Sequence, residues 1–158
     1  MNKLVIGCDV GIANTAFACV KFGDSKISII DTKLVKTDSN LSTGERLCLI
    51  KNAFSWFIKD NYKADFVAIE NVFFAKNKTS AMQTAKVIGV LELTAYENTK
   101  EVSIISPASV KTAVGMKPNT NKDGMFFAVA TAVEDIGNTT NNHEVDAIAV
   151  AIAGHSKE

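Results

Sequence analysis

The order of apolar and polar residues along the chain predicts that the first part of the sequence forms a sheet. Three mainly apolar segments open the chain, at about 3–9, 13–22 and 26–36. Gly23 and Asp24 lie between the second and third segments, and this pair is typical of a tight hairpin turn. These segments are therefore predicted to form three consecutive antiparallel strands.

The remaining sequence alternates between helical and strand patterns. Helices are predicted at about 43–61, 80–98, 107–114, 121–136 and 142–154, and strands at about 65–70 and 102–105. An antiparallel start followed by strand–helix–strand units predicts an α/β fold with a mixed five-stranded sheet and helices on both faces. Trp56 falls at the edge of the apolar stripe of the first helix, so we expect it to pack in the core or at its rim.

Length and composition are typical of a single domain over residues 1–158. The chain is 47% hydrophobic, which suffices for a sizeable core. Its longest apolar runs are shorter than the roughly 20 residues of a membrane-spanning helix, and the short N-terminal apolar stretch does not read as a signal peptide. The three cysteines, Cys8, Cys19 and Cys48, have no metal-type pair spacing and favour a reducing compartment. These features predict a cytoplasmic protein without membrane contact.

Charge is balanced overall but unevenly distributed. Residues 76–122 carry seven lysines against three acids, whereas residues 123–158 carry one lysine against six acids. A basic segment and an acidic segment suit an enzyme that grips a polyanion and cuts it with an acid-bound metal, although ordinary surface variation gives the same counts. Arg46 is the only arginine, and a lysine-dominated surface favours phosphate contacts over base readout.

Four side chains form the candidate site. Asp9 and Glu70 each end an apolar strand, and His143 and Asp146 lie one turn apart on the last predicted helix. An acid at the end of a buried strand is costly unless a cation neutralises it, and parallel neighbouring strands end at the same edge of a sheet. The acids together favour a metal site. The alternatives are solvated acids at strand ends, a solvent-facing His143 at a helix start, and a hydrogen-bonded core aspartate at 146.

Four segments of the sequence resemble those of a known family. The segments GCDVGIANTAF, VAIENVFFAKN, SPASVKTAVG and HEVDAIAVAIAGH are similar to those of the RuvC-type Holliday-junction resolvases in the RNase H-like nuclease superfamily, phage-type members included. They occur in the family's order and at its spacing, and they cover nearly the whole chain. The resemblance implies an RNase H-like fold.

The resemblance also implies an activity: a metal-dependent, structure-selective endodeoxyribonuclease that resolves Holliday junctions or other branched DNA by paired phosphodiester hydrolysis. Asp9, Glu70, His143 and Asp146 would be the catalytic and metal-binding group. Two Mg2+ ions about 4 Å apart would supply the chemistry, with Mn2+ as a substitute. A homodimer, a role in DNA recombination and repair, and a bacterial cytoplasm, or a host cytoplasm for a phage protein, are implied as well. A branch-migration motor partner is left open.

For DNA contacts, the resemblance points to aromatic and basic residues. Phe73 would wedge against bases at the junction centre, and Phe74 could share that role. The candidate basic contacts are Lys76, Lys78, Lys111, Lys117 and Lys122. From the residues alone, adjacent aromatics after a strand pack in a core as readily, and the lysines could form a solvated face.

The sequence departs from the family pattern in three respects. Val10 stands where a proline often follows the first aspartate, His143 stands where many relatives have aspartate, and the chain is less basic than typical resolvases. These differences leave open the metal preference, the strength of DNA binding and any strict sequence choice.

The sequence also fits two other functions, and the helix at 80–98 allows two interpretations. A monomeric RNase H-like nuclease acting on RNA or forks would use the same acids. A non-catalytic nucleotide-binding module would use the Asp-x-Gly turn and Thr15. The small residues of the helix at 80–98 suit either a two-fold dimer contact or packing on the sheet.

Overall fold

The computed structural model describes residues 2–72, 78–118, 124–137, 139 and 141–157. The strands are β1 (Lys3–Asp9), β2 (Asn14–Phe22), β3 (Ile27–Lys36), β4 (Phe66–Glu70) and β5 (Glu101–Ile105). The helices are α1 (Thr43–Asp60), α2 (Lys78–Glu97), α3 (Pro107–Ala113), α4 (Met125–Ala132) and α5 (Asn142–Lys157). None of these helices is long and apolar enough to cross a membrane.

The five strands form one mixed sheet in the order β3-β2-β1-β4-β5. β1 pairs antiparallel with β2 and parallel with β4, and β4 pairs parallel with β5. This confirms the predicted α/β class and the mixed five-stranded sheet. The central strand, β1, ends at the edge of the sheet where β4 and β5 also end.

The alternating residues of β2 divide the core into two layers. Ala16 and Ala18 face a cluster that includes much of α5, whereas Phe17 and Cys19 face a cluster built from α1 and α2. Phe17 contacts the ring of Phe54 with centroids 4.7 Å apart. Helices therefore cover both faces of the sheet, as predicted.

Two glycines let α5 lie directly on the sheet. A Cβ added at Gly7 would stand 2.1 Å from the Ala147 carbonyl oxygen, and a Cβ added at Gly154 would stand 2.6 Å from the Ala68 Cβ. Both distances are shorter than real contacts, so only glycine fits at these positions. The close approach fixes the height of α5 above β1 and β4.

Several predicted boundaries were wrong, most of all in the helix predicted at 121–136. Its described part, α4, ends at Ala132, because Val133 is extended and the Glu134 amide donates a 2.8 Å hydrogen bond to the Ile27 carbonyl. α5 continues to Lys157 beyond its predicted end. Trp56 is 64% exposed, so the prediction that it packs in the core or rim was also wrong.

Candidate active site

The pairing of β1 with β4 brings two acids to one edge of the sheet. Cys8 pairs with Ile69 in parallel register. Asp9 and Glu70 are the next residues of the two strands, so they lie side by side at the ends of β1 and β4. Asp9 is only 7% exposed and Glu70 is half-buried. The predicted convergence of these two strand ends is confirmed.

The first turns of α5 add the other two candidate residues. Asn141 stabilises the start of the helix, because its Oδ1 accepts a 2.9 Å hydrogen bond from the His143 amide. Asp146 follows one turn later and is 8% exposed. Since α5 lies against the sheet at Gly7, its N-terminal end is placed beside the end of β1.

His143 and Asp9 are in direct contact. His143 Nδ1 lies 2.8 Å from Asp9 Oδ2, although 134 residues separate them in the chain. Which ring nitrogen carries the proton follows from this contact: with Asp9 ionised, Nδ1–H donates to the carboxylate. Nε2 is then left as the proton-accepting nitrogen of the ring.

Asp9, Glu70 and Asp146 line one cleft of about 680 Å³. The other lining residues are polar and apolar side chains from α2, α3, α4 and the loops, including Asn71, Ser80, Thr84, Ser106, Lys111 and Met125. Within the described ranges, however, no three His, Cys, Asp or Glu side chains are grouped closely enough to hold a metal ion. The donor set suits a hard cation such as Mg2+, which prefers carboxylate oxygens, while the metal-binding role itself stays a prediction.

A buried thiol, that of Cys8, lies next to the site. Burial raises the pKa of the Cys8 thiol well above its usual range, and the negative charge of Asp9 raises it further. A thiol held in its neutral form is a poor metal ligand and a poor nucleophile. Cys8 is therefore a weaker candidate for a ligand or nucleophile than the carboxylates and the imidazole beside it.

The described basic candidates lie at different places around the cleft. Lys111 lines it from α3 and donates a 3.1 Å hydrogen bond to the Pro118 carbonyl. Lys117 is exposed in the loop that follows α3. Lys78 is exposed in the first turn of α2, not in the preceding connection, so that helix begins two residues earlier than predicted.

The remaining DNA-contact candidates cannot be placed. Phe73, Phe74, Lys76 and Lys122 lie outside the described residues. Their assignment stays a prediction from the resemblance.

Sequence analysis missed the hydroxyl and amide groups of the cleft. Ser80 and Thr84 lie one turn apart on α2 and line the same cleft as the acids, and Asn71 follows Glu70 directly. The backbone N–H of Asn71 donates a 2.7 Å hydrogen bond to the Ile105 carbonyl, and this bond ties the end of β4 to β5. The i, i+4 spacing of Ser80 and Thr84 was visible in the sequence and places both hydroxyls on one face of the helix.

Comparison with known proteins gives one consistent result. The family model described as crossover junction endodeoxyribonuclease RuvC matches residues 5–155. The chain is 31% identical to the protein of that name from Brachyspira hyodysenteriae over 98% of this chain and 94% of the relative. It is 33% identical to the one from Dictyoglomus thermophilum over 95% of this chain and 94% of the relative. These relatives are bacterial and give no support to a phage-type member.

Solved structures show the same fold. Thermus thermophilus RuvC in complex with Holliday junction substrate superposes with a TM-score of 0.82 at 22% identity, covering 96% of this chain and 91% of the other. The fowlpox virus resolvase, solved with its Holliday junction substrate, superposes with a TM-score of 0.60 at 16% identity, covering 98% and 97%. The RNase H-like fold implied by the resemblance is thereby confirmed.

Proposed function

This chain belongs to the RuvC family of crossover junction endodeoxyribonucleases, and we propose that it cuts Holliday junctions at the cleft lined by Asp9, Glu70 and Asp146. One observation supports this assignment above all: three carboxylates from three distant parts of the sequence line the same cleft. Two of them, Asp9 and Asp146, are less than a tenth exposed. Burying several acids together costs free energy that a bound cation would offset.

Two Mg2+ ions would be held by these carboxylates, with Mn2+ as a substitute. The ions would supply an activated water and neutralise the charge on the attacking and leaving oxygens of the phosphodiester. Asp9 ends the central strand of the sheet and is the candidate for contact with both ions, with Glu70 holding one and Asp146 the other. This set leaves room for water and a DNA phosphate, as Mg2+ prefers.

His143 would orient a reacting group and accept its proton. Its Nδ1 contact with Asp9 fixes the ring, so that Nε2 is the free basic position. Alternatively, Nε2 serves as a ligand of the second ion, which would favour Mn2+.

The DNA backbone would be held by lysines around the cleft. Lys111 is already part of the cleft wall, and the exposed Lys78 and Lys117 lie close in sequence to its lining residues Ser80 and Pro118. Lys76 and Lys122 would extend this surface, and Phe73 or Phe74 would stack on unpaired bases at the junction. Binding by lysines predicts strong salt dependence with little sequence readout.

A homodimer through α2 would match the two-fold symmetry of a four-way junction. The outward side of α2 carries an apolar stripe in which Met82 is 61%, Leu93 53% and Tyr96 80% exposed. Gly89 lies within this stripe, and a Cβ added there would meet nothing within 4 Å. Packing within the chain thus does not require a glycine at 89, whereas close approach of a second helix would favour one.

The test is a cleavage assay with matched DNA. Purified protein is incubated with labelled four-way junctions, forks and linear duplex in Mg2+ or Mn2+, and with chelator. The proposal expects paired nicks in junctions only when a metal is present, and none with Asp9→Asn although that variant still binds junctions. Equal cutting of linear duplex, or normal cutting by Asp9→Asn, would contradict it.

A further inference from the structure

The turn after Asp9 is held by a hydrogen-bond arrangement that the nuclease assignment does not explain. Three consecutive carbonyls of this turn each accept a hydrogen bond. The Thr15 hydroxyl donates to Gly11 O at 2.6 Å, the Thr37 hydroxyl to Ile12 O at 2.5 Å, and the Thr37 amide to Ala13 O at 3.0 Å. The turn is therefore tied to β2 and to the end of β3 through its oxygen side.

Arg46 fixes the direction of the Thr37 hydroxyl. Its Nε donates to Thr37 Oγ1 at 2.8 Å, and a guanidinium nitrogen can only donate. The hydroxyl must therefore use its own proton for the Ile12 carbonyl. Arg46 thus acts on the turn through Thr37, from the first helical turn of α1.

Holding the carbonyls on one side leaves the amides on the other. No peptide bond in the described chain is cis, and in a trans peptide the N–H points opposite to the preceding C=O. The amides of Ile12 and Ala13 therefore point away from Thr15 and Thr37, and they make no hydrogen bond to a described residue. Val10, at the start of the turn, lines the cleft.

We propose that Thr37 and Arg46 are positioning residues of the nuclease site, which hold the turn after Asp9 so that its Ile12 and Ala13 amides face a phosphate of the bound strand. Outward amides with no internal partner are donors suited to an anion, and the opposite peptide orientation would present carbonyl oxygens to it. The proposal rests on the proposed function, because the phosphate belongs to the DNA that is cut. In this proposal Arg46, the single arginine, supports the turn through Thr37 and does not read DNA bases.

The variants separate this role from a direct contact. Thr37→Val removes the hydroxyl with little change in shape, and Thr37→Ser restores it. Arg46→Lys keeps the charge but places a methylene where Nε stood, and Arg46→Gln removes the charge. Thr32→Val is the matched control, since Thr32 is also half-buried in β3 and its hydroxyl makes no hydrogen bond to the described chain.

Three measurements are made on each folded variant: backbone 15N order parameters at Ile12 and Ala13 without DNA, the single-turnover cleavage rate, and junction affinity as a function of salt. We expect Thr37→Val to lower the order parameters of Ile12 and Ala13 from about 0.85 to below about 0.6. The same variant should slow cleavage by about tenfold while affinity changes less than about threefold. Thr37→Ser and the Thr32→Val control should keep the wild-type order parameters and cut within about threefold of the wild-type rate, and Arg46→Lys should behave like Thr37→Val.

The double variant decides whether Arg46 acts through Thr37. Residues that form one unit are not additive, so Arg46→Gln combined with Thr37→Val should lose no more than about twofold beyond Thr37→Val alone. Multiplied losses would overturn the proposal. So would unchanged order parameters at Ile12 and Ala13 in Thr37→Val, or a pattern in which Arg46→Lys is normal and Arg46→Gln lowers only the salt dependence, since that pattern marks a direct phosphate contact. If the wild-type protein fails to cut junctions, the proposed function fails instead, and the order parameters still show whether Thr37 holds the turn.

Discussion

α2 and α5 are both rich in small residues, yet they use them for different contacts. In α5 every residue from Val145 to Gly154 is buried, and Gly154 lies against Ala68 of the sheet. In α2 the small residues Ala85 and Gly89 face outward beside exposed Met82 and Leu93. A small residue therefore indicates that some backbone approaches closely, and only the burial of its neighbours tells whether that backbone belongs to the same chain.

The largest effect is expected from the buried acid of α5. Asp146→Asn keeps the shape of the side chain but removes the charge that would hold a metal, so cleavage should fall by at least about a hundredfold. Junction cleavage in Mg2+ measures this directly. Glu144→Gln is the control, because Glu144 lies in the first turn of the same helix and is not among the residues that line the cleft. Comparable losses in both variants would indicate a general effect of charge at the helix start.

The two helix glycines should respond oppositely to alanine. Gly154→Ala forces a Cβ against Ala68 and should lower the free energy of unfolding by about 1–3 kcal/mol. Gly89→Ala meets open space and should raise it by up to about 1 kcal/mol through better helix propensity. Urea unfolding at one fixed protein concentration gives both values. Destabilisation by Gly89→Ala would mean that position 89 is packed in the assembled protein more tightly than in the single chain.

A charge on the outward stripe of α2 should separate the proposed dimer. Leu93→Glu places a carboxylate in an apolar contact, so the dissociation constant should rise by about tenfold or more. Sedimentation velocity over a range of concentrations is the measurement. Phe127→Glu is the matched control, since Phe127 is 72% exposed on α4 and away from α2. A wild-type protein that is monomeric at micromolar concentration would remove the dimer from the proposal.

The smallest effect concerns the two buried thiols and the exposed one. Burial, and then the charge of Asp31, raises the pKa of Cys19 to about 12, and the pKa of Cys8 is raised as well. Because the thiolate is the reactive form, these two cysteines should resist a thiol reagent at pH 8 while exposed Cys48 reacts. Counting modified thiols in the native protein tests this. Fast reaction of all three would show that the sheet opens readily.

The sequence was sufficient to predict the elements that local pattern controls. β1 and β4 were predicted well because each is a short apolar run that ends in an acid, and their parallel pairing placed Asp9 beside Glu70. The end of α4 could not be predicted, since it depends on the Ile27 carbonyl and on the 2.6 Å ion pair between Lys26 and Glu134. Both are contacts between segments more than a hundred residues apart.

The candidate site shows the same division. Residue types and helical spacing were enough to select Asp9, Glu70, His143 and Asp146. The hydrogen bond between His143 and Asp9 was not predictable, because it depends on how closely α5 approaches β1. Trp56 was misjudged for a related reason: it lies at the edge of the α1 stripe, where the helical pattern alone does not decide between burial and exposure.

Trp56 is the only indole of the chain, and the Lys59 ammonium lies 5.1 Å from its ring centroid. Because that ring is already surrounded mostly by water, its fluorescence should lie at long wavelength in the folded protein and shift little on unfolding. The same emission should respond to any molecule that covers the outer side of α1. The fluorescence of Trp56 should therefore change little when the protein unfolds and change clearly when a molecule binds to the outer side of α1.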